Sequence, residues 1–252
     1  MKQMSISALI ILLWVSFSCN NDDTTPLQQD LDLQVKALYG DEPLILYQEY
    51  AYEEGMKVLF QLYQFYLSDI ELVRADGSTE VISEIELVRF EDTQNEATAR
   101  EGVRVTLEDV PAGDYVKLKM GVGVSPRLMQ TSPGQYPPGH PLADNYWSAA
   151  KGYIHSKIEG RADTLSGDGF DTGITFHGGS DDLYTLVEFS IQLTIGNSNP
   201  APLVLTSDLQ RVLIKPNGEF LDFRKYNVDH HVNPDVFEFI GGNLSLSMAT
   251  EK

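Results

Sequence analysis

From residue 31 onward the chain alternates between apolar and polar positions. "LDLQVKA" sets Leu31, Leu33, Val35 and Ala37 on one side and Asp32, Gln34 and Lys36 on the other, the period of a strand with one buried face. The pattern returns in "LYTLVEFSIQLTI", where Val187, Phe189, Ile191, Leu193 and Ile195 share a side. In "GVRVTLEDVPAGDYVKLKMGV", Val103, Val105 and Leu107 are followed across Pro-Ala-Gly-Asp by Val116, Leu118 and Met120, which predicts a hairpin. "VRADGSTEV" predicts an Asp-Gly turn between two strands, and "VLIKPNGEFLDF" a turn built on Pro216, Asn217 and Gly218. No window of about a dozen residues carries a helical stripe, apart from one helical turn near "LADNYWSAA". The prediction is an all-β fold, a single antiparallel β-sandwich or barrel-like domain of roughly eight to ten strands.

Between Val124 and Gly152 the rhythm breaks. "SPRLMQTSPGQYPPGHPLADNYWSAAKG" holds five of the twelve prolines, so it cannot lie inside a sheet. Its aromatic residues Tyr136, Tyr146 and Trp147, with His140, predict an ordered binding loop lying across one end of the β domain.

The N-terminus addresses the compartment. Lys2 precedes the apolar run Ala8 to Phe17, which has the length of a signal-peptide core and is too short to span a bilayer. The run closes at "SFSC", and Cys19, the single cysteine, resembles the acylated cysteine of a bacterial lipobox. The predicted division is a lipoprotein signal peptide over 1–18, a flexible polar tether over 19–30 and one β domain over 31–252. The acidic residues behind Cys19 resemble the surface-export signal of Bacteroidetes lipoproteins. The expectation is therefore an outer-membrane lipoprotein, lipid-anchored and exposed at the cell surface.

Charge narrows the partners. A formal net charge of −19 repels a phosphate backbone, so nucleic acid is excluded, whereas cations are drawn in. With Cys19 acylated no thiol remains, which removes disulfides, thiolate zinc sites and blue-copper His2Cys sites. Any metal must then be held by His, Asp, Glu, Met or backbone.

The five histidines are the candidate donors. Alternation in "YIHSKIE" places Tyr153, His155, Lys157 and Glu159 on an outward face, which makes His155 a solvated sheet histidine. His140 precedes Pro141, which holds it extended. His177 ends the run "ITFHGGS" opposite Ile174 and Phe176, outside the core. His230 and His231 are adjacent, so in a strand only one of them can serve a given site. Singly each reads as structural. Jointly, four of five sit in loops or at turn edges, and imidazole without thiolate suits copper best. No HExxH, His-x-His or Gly-x-Ser-x-Gly is present, and no enzyme activity is expected.

Four segments together resemble the copper-binding MbnP-like family, found in Bacteroidetes lipoproteins and related to surface copper proteins of methane-oxidising bacteria. They are "FQLYQFYLSDIELV" (60–73), "HPLADNYWSAAKGYIHSKIEG" (140–160), "ITFHGG" (174–179) and the histidine pair at 230 and 231. In the second and most specific segment His140, Pro141, Leu142, Tyr146, Trp147, Gly152, Tyr153, Glu159 and Gly160 match. The resemblance implies an all-β domain binding copper through histidines, with His140 and His177 as first ligands and His230 and His231 as second choices. In some members a tryptophan oxidised to kynurenine by a di-haem partner also coordinates the metal, which directs attention to Trp147. Two departures stand out. Ala149 occupies the place of a second tryptophan, and Asp69 that of an asparagine in a Ser-Asn-Ile motif.

A second class of function is also open: a carbohydrate-binding or adhesion module. Tyr136, Tyr146 and Trp147 would form its stacking platform, and the acidic loops "GDGFDTG" and "GSDD" a calcium site.

Overall fold

The computed structural model describes residues 27–165, 167, 169–230 and 232–251. Cys19, the signal peptide and His231 lie outside them. In chain order the strands are β1 (Gln28–Tyr39), β2 (Glu42–Pro43), β3 (Glu49–Ala51), β4 (Lys57–Arg74), β5 (Thr79–Arg89), β6 (Val103–Pro111), β7 (Gly113–Val122), β8 (Tyr146–Ser148), β9 (Gly152–Tyr153), β10 (Ser156–Asp163), β11 (Thr172–Gly178), β12 (Thr185–Ile195), β13 (Leu203–Asp208), β14 (Val228–Asp229) and β15 (Met248–Thr250). Four short or medium helices intervene: α1 (Glu96–Glu101), α2 (Pro126–Met129), α3 (Leu209–Leu213) and α4 (Pro234–Leu246).

One sheet has the order β15-β13-β1-β2, with β6 on the other part of β1. The second runs β12-β7-β4-β10-β11-β14, with β3 and β5 along the opposite edge of β4. The alternating faces read from the sequence meet between them: Leu31, Leu33 and Val35 of β1 are fully buried with Phe60 of β4, Leu118 and Met120 of β7 and Phe176 of β11. The sheets are open and mixed, since β13 runs parallel to β1 and β14 parallel to β11. The all-β sandwich is as expected, without the purely antiparallel pairing.

Four expectations are corrected. The chain is already in β1 at Gln28, whose register partner is Pro111, so residues 28–30 belong to the sheet rather than to the tether. Strands β6 and β7 do not form a hairpin: β6 pairs with β1, β7 with β4 and β12, and the Pro111–Gly113 link crosses between sheets, leaving Val116 exposed. Helix α4 breaks the all-strand pattern. Asn233 caps it by accepting from the Asp235 amide, and Pro234 opens its first turn. Finally, Tyr153 and His155 face inward, at 0% and 3% exposure.

Strand β4 is the spine. On one of its edges β10 covers the first half (Asp163 opposite Lys57, Ser156 opposite Phe65) and β7 covers the second (Val122 opposite Leu67, Tyr115 opposite Arg74). The end of β7 and the start of β10 therefore meet near Tyr66. The proline-rich excursion between them leaves and returns at one point.

Candidate metal centre

Tyr66 pins that excursion. Its carbonyl accepts from the Gly123 amide at 2.8 Å, and its own amide donates to the His155 carbonyl at 2.9 Å. Its hydroxyl donates to Pro141 O at 2.7 Å and accepts from Asn145 Nδ2 at 3.1 Å. Burial pushes this phenol up to about 12, which keeps the donor proton in place. Below the loop a small second core of Tyr66, Ile85, Val124, Leu128, Met129, Leu142 and Tyr153 orders it, in keeping with its aromatic content.

His155 belongs to this foundation. Its Nε2 lies 3.2 Å from Met129 Sδ and its ring covers Gly123, where a Cβ would come within 2.6 Å of Nδ1. Alternation assigned it to solvent because the covering layer comes from the loop, not from a sheet.

His140 is extended, as its proline neighbour requires, with φ −66° and ψ 141°. Its Nδ1 accepts from the Leu142 amide at 3.1 Å, capping the 3-10 turn Pro141–Ala143, and its ring stacks on Tyr136 with centroids 4.2 Å apart. Among the described residues no hydrogen bond or ring contact joins it to another histidine. With Nδ1 accepting, the neutral ring carries its proton on Nε2. Metal ligation by His140 thus requires giving up this cap or that proton.

His177 and His230 do come together, through strand register. Strands β11 and β14 run parallel with Thr175 opposite Val228 and Phe176 opposite Asp229, so the next step sets His177 beside His230. Their ring centroids are 4.9 Å apart at 74°. The turn after β14 holds His230 there. The buried Asp229 carboxylate accepts from the amides of Val232 at 2.7 Å and Asn233 at 3.0 Å, and Asn233 in turn caps α4. Of the adjacent pair, His230 lies at this site and His231 falls outside the described residues.

The far side of His177 is fixed by a motif residue that the sequence did not mark as part of the site. Lys157 faces His177 directly across the β10–β11 ladder, and Glu159, two positions on, is its diagonal neighbour. Glu159 Oε1 lies 2.7 Å from His177 Nε2. Burial, more than the nearby carboxylate can offset, holds the His177 imidazole below its ordinary value. Burial thus favours the neutral ring, and a neutral ring facing a carboxylate at Nε2 would donate Nε2–H to it.

Trp147 closes the other side. It lies in β8, paired with β9, with its ring edge-on to His230 at 6.0 Å between centroids and Lys151 Nζ 4.2 Å from its own centroid. The hairpin reaches the histidines because the Ile154 amide donates to Asn145 O and the His155 amide to Gly178 O. That second bond brings two backbones into contact: a Cβ on Gly179 would stand 2.2 Å from Tyr153 O. The glycines after His177 are a docking surface for the Trp147 hairpin.

The structure thus gathers His177, His230, Trp147, Glu159 and Lys151, and leaves His140 on its own turn. Among the described residues no group of three or more His, Cys, Asp or Glu side chains is arranged to hold an ion, so the donors in place are two imidazoles. The sequence profile of the MbnP family matches residues 28–233. The chain belongs to the MbnP family. Among solved structures, MbnP from Methylosinus trichosporium shares the fold, with a TM-score of 0.51 at 14% identity over 74% of this chain and 78% of that one. No curated protein was found to match.

Membership links the chain to copper handling. The MbnP match ends at Asn233, taking in the whole histidine cluster and leaving α4 outside. The donor chemistry fits copper: imidazole is among its preferred ligands, and the Glu159 contact falls on Nε2 of His177, leaving Nδ1 free of that carboxylate. The two departures from the family motif also find their places. Asp69 adopts φ 49°, a left-handed conformation that Asp tolerates almost as well as Asn, and accepts from the Tyr184 hydroxyl at 2.8 Å. Ala149 is exposed in the β8–β9 connection.

Proposed function

We propose that this protein is a copper-binding lipoprotein for capture, storage or handover of the ion rather than catalysis, with His177 and His230 as its primary ligands. The observation that carries this reading is the 4.9 Å approach of the two imidazoles, one of them with its far nitrogen already engaged by Glu159. Two imidazoles bind copper without requiring a carboxylate ligand, and the net charge of −19 concentrates cations around the molecule. Trp147 flanks the pair and limits water on that side, while the exposed His230 gives an incoming or departing ion a point of entry. By motif alone, His231 and His140 are the further candidate donors, His140 after release of its cap.

Anchoring at Cys19 to the outer membrane, with the domain at the cell surface, fits the same role. Leu27 O accepts from the Ala112 amide, beside the end of β4 at Arg74. Tyr66 is eight positions back along that strand, roughly 26 Å, so a tether entering at Leu27 leaves the copper site clear of the bilayer. A di-haem protein as partner and kynurenine at Trp147 remain part of the proposal through the family resemblance alone.

The glycan reading gains nothing from the rings. Tyr136 is stacked on His140, Tyr146 edges Tyr153, and Trp147 is flanked by Lys151 and His230. Equilibrium dialysis against Cu(I) and Cu(II) tests the reading: one ion bound per chain is expected, with loss in His177→Ala and His230→Ala and retention against calcium. Equal binding by wild type and both variants would remove it.

A further inference from the structure

Glu159 and His177 occupy neighbouring strands on one face of the sheet, and their 2.7 Å contact uses the ring nitrogen farther from the backbone. An imidazole offers one lone pair when neutral, and the nitrogen that holds the proton is chosen by its hydrogen-bond partner. We infer that Glu159 is the positioning residue of the histidine pair: by accepting the Nε2 proton of His177 it fixes the tautomer in which Nδ1 alone can ligate a metal. The inference deepens the copper reading above and rests on it.

The local sequence builds this contact. Along β10, Ser156 and Ile158 are buried while Lys157 and Glu159 are half-buried on the other face, in step with Thr175 and His177 of β11. Immediately after Glu159 the pairing with β4 shifts register, and Gly160 passes so close that a Cβ would lie 2.2 Å from Leu59 O. The Glu-Gly pair therefore sets both the bulge and the carboxylate beside it. Carboxylate–histidine–metal relays orient the ring and raise the basicity of the ligating nitrogen, and their loss typically lowers metal affinity about 10- to 100-fold. Lys157, directly opposite His177 in the ladder, carries the opposite charge and cannot take over this acceptor role.

Long-range ¹H–¹⁵N NMR on the metal-free protein reads the tautomer without copper, and copper titration follows. Wild type should show His177 as Nε2–H. Glu159→Leu should give a mixed or reversed tautomer and about 10- to 100-fold weaker copper binding, with Glu159→Gln, whose amide oxygen still accepts, recovering most of both. A wild-type Nδ1–H ring, or a Glu159→Leu protein with unchanged tautomer and affinity, overturns the inference. So does equal loss of affinity in Glu159→Gln and Glu159→Leu with the tautomer intact in both, because that pattern marks Glu159 as a direct ligand. If wild type binds no copper, the functional reading fails while the NMR result still decides what Glu159 does to His177.

Discussion

His177 and His230 meet although 52 residues separate them in sequence, because two short parallel strands hold Thr175 opposite Val228 and Phe176 opposite Asp229. The pairing is brief, so the turn that follows must keep His230 in line. Asp229→Ala removes the acceptor for the Val232 and Asn233 amides and should cost about 1–3 kcal/mol in a urea unfolding curve. Copper affinity should fall with it even though no proposed ligand has been changed.

Tyr66→Phe separates the loop from the sandwich. The hydroxyl serves both Pro141 O and Asn145 Nδ2, and deleting it should destabilise the fold by about 1–3 kcal/mol. Hydrogen exchange should show the loss of protection confined to residues 136–147, with β1 and β4 amides unaffected.

Gly179→Ala should disturb the Trp147 hairpin through the backbone, because the new Cβ would press on Tyr153 O at 2.2 Å. In protein made from residue 20 onward Trp147 is the sole tryptophan. Its emission should shift to the red as the contact with His230 opens. An unchanged spectrum would mean that the hairpin is held by other contacts.

The burial of His177 makes stability depend on acidity in a defined direction. Its folded-state value lies below the ordinary 6.5, so the unfolded chain binds a proton first as pH falls. The contribution of this ring to stability is intact above about pH 6.5 and declines as pH falls from there toward the lower folded value, below which the loss is complete. Urea midpoints measured between pH 7.5 and 5 should fall less in His177→Gln than in wild type.

Much of the sandwich was legible because one buried face writes itself as alternation: β1, β12 and the Asp76–Gly77 turn between β4 and β5 are where the pattern puts them. Alternation does not name a strand's partner, so β6 and β7 looked like a hairpin although Pro111–Gly113 carries the chain from one sheet to the other. Helix α4 escaped the sequence reading: Asn233-Pro234-Asp235 is a cap-and-start signal, but Val236 to Ile240 reads equally as a strand and Gly241-Gly242 weakens the helical pattern. In the site, the residue types were legible and the grouping was not. His155, which lies between β9 and β10, was assigned to solvent because nothing in its own segment foretells a covering loop. Glu159 carried a usable signal, a carboxylate two positions from Lys157 in a strand near a histidine, but only the register with β11 turns it into a partner of His177.

Copper itself locates the site most directly. Crystals of protein saturated with one equivalent of the ion, measured at the copper absorption edge, should show a single anomalous peak about 2 Å from Nδ1 of His177 and from a ring nitrogen of His230, with Glu159 still on Nε2. A peak elsewhere on the molecule, or one that reaches His177 through Nε2 after displacing Glu159, would contradict the account.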